Sequence, residues 1–390
     1  MMSTSNPSLA RRWVWALMPL LLLIVLVAVL VRFGPLGVFI KAFPPVEELT
    51  IDRVSLAPQM MAVHVTNGGP QPVTVAQVMV DEAYWEFSMA PGHTVPRLGQ
   101  AIIAVPYPWV EGETHHLKLV SSTGLTFEHT IEVATATPTV DARYLATFTL
   151  LGIYVGVIPV LLGLLWFPFL RQLDQRWIAF FLSLTAGLLL FLGVEAVHDA
   201  LETAGTLPPA FQGVGLVLVG LVITVLILVA VSRRVTSGAD AVQRRLAIAF
   251  LIALGIGLHN LGEGLAIGAA YSLGKIALGT FLVLGFTIHN TTEGLGIVAP
   301  IARDRPAVRT LALLGILAGV PTILGSWIGG LNYSPVLATL FLAVGAGAIF
   351  QVVYELLKLM IGERPALGYQ VAGFAAGLLV MYITGLFVAA

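Results

Sequence analysis

The sequence predicts a polytopic α-helical membrane protein: an eight-helix bundle, preceded by a single N-terminal span and a small extracytoplasmic β-sandwich. Three observations predict it. The 390-residue chain is 57% hydrophobic and only 11% charged, against roughly 25% charged in soluble domains. Its second half is a series of apolar runs, each near the roughly 20 residues that cross a bilayer. Between about Glu47 and Pro138 the pattern changes to short alternating runs broken by turn residues.

The first apolar run, residues 13–31, follows Arg11 and Arg12. It is longer than the 7–15-residue apolar core of a signal peptide, and VAVLVRFGP offers no small-x-small cleavage site. It is read as an uncleaved anchor behind a cytoplasmic N-terminus, residues 1–12. In residues 47–138, MAVHV, VTVAQVMV and LTFEHTIEV are separated by NGGP, EGE and STG. Alternation with such punctuation indicates strands, and the length suits one immunoglobulin-like domain. An open sheet edge cannot sit in lipid, so this domain is expected outside the bilayer.

Residues 143–390 carry eight expected spans: 144–169, 177–198, 211–232, 246–270, 276–299, 310–331, 336–361 and 368–389. Loops on one side carry Arg171, Arg176, Arg233, Arg234, Arg244, Arg245, Arg303, Arg305, Arg309, Lys358 and Arg364; those on the other carry little but Lys275. Lys and Arg mark cytoplasmic loops. The N-terminus is therefore expected inside, and the β-domain and the C-terminus outside, in the cell membrane. The chain has no cysteine, which removes disulfides and thiolate ligands. The net charge of −1 hides this asymmetry of Lys and Arg between the two sides.

Within the spans, ionisable residues are few: Glu195, His198, His259, Glu263, His289, Glu293 and Glu355. Such residues are costly in lipid and usually face a functional interior. HNLGEG begins at His259 and nearly recurs as HNTTEG at His289, each histidine 15 residues from Gly274. In a helical hairpin turning near Gly274, the two motifs lie at one depth. At about 100° per residue, Glu263 projects between His259 and Asn260. Glu293 does the same between His289 and Asn290. Each helix thus offers nitrogen and oxygen donors around a carboxylate able to bridge, as a binuclear metal site requires. A bound cation also resolves the cost of two buried carboxylates. Gly262, Gly264 and Gly294 would permit close backbone approach. Glu195, His198, Asp199 and Glu202 share one helical face at an outer end and read as a cation-attracting entrance, although Glu202 reads better as a solvated terminus. Glu355 reads as an inner exit or as a partner of Lys358.

These motifs and this topology resemble the ZIP (Zrt-/Irt-like) metal transporters, in particular the prokaryotic, GufA-like branch, over residues 143–390. The resemblance implies uptake of a divalent metal toward the cytoplasm. Its metal ligands would be His259, Asn260 and Glu263 from the fourth span, with His289, Asn290 and Glu293 from the fifth. Gly262 and Thr292 stand where many relatives have proline, and Thr322 stands where a sixth-span glutamate is usual. Imidazole, carboxylate and amide donors without thiolate suit Zn, Fe(II), Mn, Co or Ni, and zinc is the family's usual substrate. The expected partners are divalent metal ions, the lipid bilayer and a second copy in a homodimer, with no nucleic acid. Two other functions fit the motifs: an intramembrane metal-dependent hydrolase, although HExxH is lacking, and a membrane metal sensor. His64, His93, His115, His116 and His129 offer a weaker metal-capture reading, because adjacent strand residues point to opposite faces.

Overall fold

A computed structural model describes residues 9–33, 46–137, 141–272, 276–331, 334–362 and 367–389. The hairpin turn with Gly274 and Lys275, together with Arg364, lies outside the described residues. The chain divides into two compact units, residues 1–47 and 48–390. In the first, α1 (Leu9–Phe33) is a 25-residue helix. Its leucines and valines from Leu20 to Val27 are exposed on every side. A helix apolar all round suits a lipid environment.

The second unit begins with nine strands: β1 (Leu49–Ala57), β2 (Met60–Asn67), β3 (Val73–Val80), β4 (Ala83–Trp85), β5 (Ser88–Ala90), β6 (Thr94–Val95), β7 (Gln100–Val105), β8 (His115–Ser121) and β9 (Thr126–Ile131). They form two antiparallel sheets, ordered β1-β2-β7-β5 and β4-β3-β8-β9, with β6 on β3. Alternation does the packing: Met61, Val63 and Val65 from one sheet bury against Val78, Val80, Leu117 and Leu119 from the other. The register slips between Ile51 and Arg53 opposite β2. Such a bulge turns two successive side chains toward one face.

The helices follow. They are α2 (Ala142–Gly152), a π turn (Ile153–Val157), α3 (Ile158–Leu164), α4 (Phe167–Leu170), α5 (Gln175–Gly205), α6 (Gly213–Thr236), α7 (Ala241–Ser272), α8 (Ile276–Val298), α9 (Val308–Leu331), α10 (Pro335–Gly362) and α11 (Leu367–Ala389). Aspartates start several of them. Asp141 Oδ1 accepts from Tyr144 N at 2.7 Å, and Asp174 Oδ1 accepts from Arg176 N and Trp177 N at 3.0 and 3.1 Å. These bonds satisfy amides that a helix start leaves unpaired.

Among the described residues seven helical segments are long and apolar enough to cross a membrane. The chain is a multi-pass membrane protein. The segments correspond to the expected spans except the fifth, α8. That helix is continuous for 23 residues, or about 35 Å at 1.5 Å per residue, but HNTTE dilutes its apolar content. The helices pack tightly where side chains vanish. A Cβ on Gly264 of α7 would lie 2.9 Å from Ser326 N of α9. One on Gly294 of α8 would lie 2.9 Å from Gly163 Cα of α3. Each motif glutamate is therefore followed by the glycine that lets a neighbouring helix seat against its own. Gly262 differs: a Cβ there would make only ordinary contact with Leu342, at 3.5 Å.

Candidate metal centre

The two histidine motifs meet inside the bundle. His259 and His289 have ring centroids 6.4 Å apart. Single donor atoms of His259, Glu263 and His289 all lie within 4.8 Å of one another. Glu263 is the hub. Its Oε1 meets His289 Nε2 and lies 3.2 Å from His259 Nε2. Its Oε2 accepts from Asn290 Nδ2 at 2.9 Å. Asn260 and Asn290 are fully buried, Glu293 is 2% exposed and Glu263 3%.

Glu293 does not mirror Glu263. Both of its carboxyl oxygens are buried without a hydrogen bond of ordinary geometry among the described residues, and only the Asn260 amide makes a weak donor contact with them. Asn260 Oδ1, Asn290 Oδ1 and Thr322 Oγ1 are likewise unpartnered. The symmetrical sharing expected from the hairpin is thus realised only around Glu263.

Contacts from other helices involve proline turns that the sequence reading passed over. Asn290 Nδ2 also donates to Val155 O at 3.0 Å. Pro159 follows Val155 by four residues and has no N–H to offer that carbonyl, so the π turn leaves it open to the asparagine. Asn260 Nδ2 donates to Ala318 O at 3.1 Å, beside Pro321 of α9, which leaves the neighbouring Leu317 carbonyl without its helical donor. The available signal was GVIPVLLG at Gly156 and GVPTILG at Gly319, two similar proline segments.

A cavity of about 250 Å³ reaches the cluster. Its lining includes Glu195 and Asp199 of α5 together with His259, Glu263 and His289. Phe286, Met381 and Thr384, which the sequence reading did not single out, also face it. His198 is not part of the lining. It is exposed, with Nδ1 3.7 Å from Asp199 Oδ1, and it groups with Asp199 and Glu202 at the surface.

Glu355 is not brought to the cluster. It is buried between α6 and α10, accepting from Ser232 Oγ at 2.5 Å and Gln351 Nε2 at 3.3 Å. The alternative pairing with Lys358 is not formed, since Lys358 Nζ lies over the Tyr354 ring at 5.9 Å.

The β-domain histidines are dispersed. His115 Nδ1 bonds Asp81 Oδ2 at 2.7 Å, and His116 Nδ1 bonds Thr130 Oγ1 at 3.1 Å. His93 packs edge-on against Phe87, and His64 stands opposite Arg53. Among the described residues none of them joins a metal-binding group. Burial, followed by the Arg53 charge, lowers the His64 imidazole to about 4.

Neither a scan against protein-family models nor a search among curated proteins finds a match for this chain.

Proposed function

We propose that the chain is a secondary transporter, with an eight-span ZIP-like bundle, that carries a divalent transition metal toward the cytoplasm, zinc foremost. The observation that carries the reading is Glu293, a buried carboxyl held by no more than a weak contact from the Asn260 amide, beside the His259–Glu263–His289 cluster. Burying a carboxylate without a partner costs far more than burying it against a cation. Imidazole nitrogens and Glu263 supply one ion. Glu293, the amide oxygens of Asn260 and Asn290, and the Thr322 hydroxyl are the unsatisfied donors available for a second. In this reading α8 is the fifth of eight spans of the bundle, and the distribution of Lys and Arg in the loops argues for a cavity mouth outside. The sheet order β1-β2-β7-β5 and β4-β3-β8-β9 supports an immunoglobulin-like outer domain.

The test is zinc uptake into proteoliposomes holding the full chain. Glu263→Ala and Glu293→Ala each abolish uptake while the protein still inserts and stays folded. Near wild-type uptake in either variant refutes the assignment. The hydrolase alternative would show metal-dependent cleavage of membrane substrates without net zinc entry.

A further inference from the structure

A second, larger cavity of about 570 Å³ lies between the outer face of the β1-β2-β7-β5 sheet and two connections of the helical bundle. Its roof carries Asp52, Arg53, His64 and Ile102; its floor carries Phe211 and Leu337. The β-bulge between Ile51 and Arg53 turns Asp52 and Arg53 toward this one face. Thr66 Oγ1 donates to Asp52 Oδ2 at 2.6 Å, which fixes that carboxyl and leaves Oδ1 without a hydrogen bond among the described residues. The half-buried Arg53 guanidinium makes no hydrogen bond or ion pair among the described residues. Burial pushes the Asp52 carboxyl up, against the Thr66 bond and the Arg53 charge. Such a carboxyl gains from a cationic donor.

The cleft therefore offers one unused cation and one unused acceptor side by side, with apolar side chains below. Ile102 is 44% exposed toward it. Metal capture fits poorly here, because Arg53 stands directly opposite His64 and would repel a bare divalent ion that brings no anion to neutralise the guanidinium. The floor is made by the N-terminal ends of two candidate membrane spans, Pro209–Thr236 and Pro335–Met360. Such ends lie at the boundary between hydrocarbon and water, where lipid headgroups are concentrated. Gly68 seats against Pro208 beside the cleft, with a Cβ there only 3.2 Å from Pro208 Cγ, so the sheet is held close to this level.

We propose that the cleft binds a bilayer phospholipid whose headgroup carries both a phosphate and a primary ammonium, the phosphate on Arg53, the ammonium on Asp52 and the upper acyl carbons on Phe211 and Leu337. A guanidinium binds phosphate through paired N–H donors. A carboxylate bonds most strongly to a charged N–H donor, which ethanolamine has and choline lacks. Phosphatidylglycerol satisfies Arg53 but offers Asp52 only a neutral hydroxyl, without the positive charge of an ammonium. The bound lipid ties the β-domain to the ends of α6 and α10, and α10 also carries Leu342 of the metal cavity.

The test uses the full chain, delipidated in detergent, with dilauroyl phosphatidylethanolamine, the matching phosphatidylcholine and phosphatidylglycerol, and soluble glycerophosphoethanolamine as probes. Native mass spectrometry and thermal melting read binding. Wild type retains one phosphatidylethanolamine per chain and is stabilised by it above the other probes. Arg53→Gln weakens that lipid by about tenfold, equivalent to about 1.4 kcal/mol, and Asp52→Asn removes the preference over phosphatidylcholine. Both variants are compared with wild type for lipid-free melting. The wild-type probe series needs no variant to fold: equal binding of the three lipids overturns the proposal. So does an Arg53→Gln protein that melts like wild type and keeps its affinity for phosphatidylethanolamine. Glycerophosphoethanolamine binding as tightly as the lipid overturns the membrane source.

Discussion

Glu263 and Glu293 occupy matched positions in the sequence but not in the structure, and metal-free stability should separate them. Replacing Glu263 with Ala strips His289 Nε2 of its partner and costs Asn290 Nδ2 one of its two acceptors. A buried donor left unsatisfied costs about 1–3 kcal/mol, so the loss is on the order of 2–4 kcal/mol for the pair. Replacing Glu293 removes two oxygens that have no more than a weak contact with the Asn260 amide, so metal-free Glu293→Ala should be clearly less destabilised than Glu263→Ala. With metal the order changes. Wild type gains about 2.7 kcal/mol at a metal concentration of 100 Kd, and both variants lose that gain. The assay is denaturant unfolding in detergent micelles, with chelator and then with zinc. If the two variants are equally destabilised in chelator, the hub role of Glu263 is wrong. If Glu293→Ala keeps the full zinc-dependent gain, Glu293 is not a ligand.

Four further outcomes are expected. Pro159→Ala restores an N–H for the Val155 carbonyl, competes with Asn290, and should weaken zinc affinity by about 10-fold, as loss of an outer-shell contact does; unchanged affinity in a zinc titration would mean that this bond positions nothing. Glu195→Gln with Asp199→Asn should raise the apparent KM for uptake and leave the maximal rate intact, because these groups line the cavity without joining the cluster; a fall in maximal rate at unchanged KM would place them in the centre. In the β-domain, His64 titrates near 4 rather than 6.5. The unfolded chain then gains a proton that the folded chain refuses, so stability is complete above about 6.5 and declines as pH falls toward 4. Burial and the Asp81 bond push the Tyr107 phenol up to about 12, so the folded form keeps a proton that the unfolded form releases above about 10, and stability falls from there upward. Histidine NMR and tyrosine absorbance titrations on the full chain check both directions.

The sequence by itself determined the parts whose information is local. Long apolar runs mark spanning helices because every backbone group must be satisfied within the lipid-facing segment. Strict alternation in residues such as Met61, Val63 and Val65 marks a strand with one buried face. The paired HN-x-x-EG motifs marked the cluster, because four-residue spacing fixes a helical face. What only the tertiary structure decided lies between elements far apart in the chain. Val155 meets Asn290 across 135 positions and Ser232 meets Glu355 across 123. Nothing within either segment specifies those meetings; helix packing through Gly163, Gly294, Gly264 and Gly325 does. For that reason the motifs read as equivalent, while the fold makes Glu263 a bonded hub and Glu293 an open donor. For the same reason Asp52 and Arg53, two ordinary strand residues in sequence, become one charged face only when the register of β1 slips against β2.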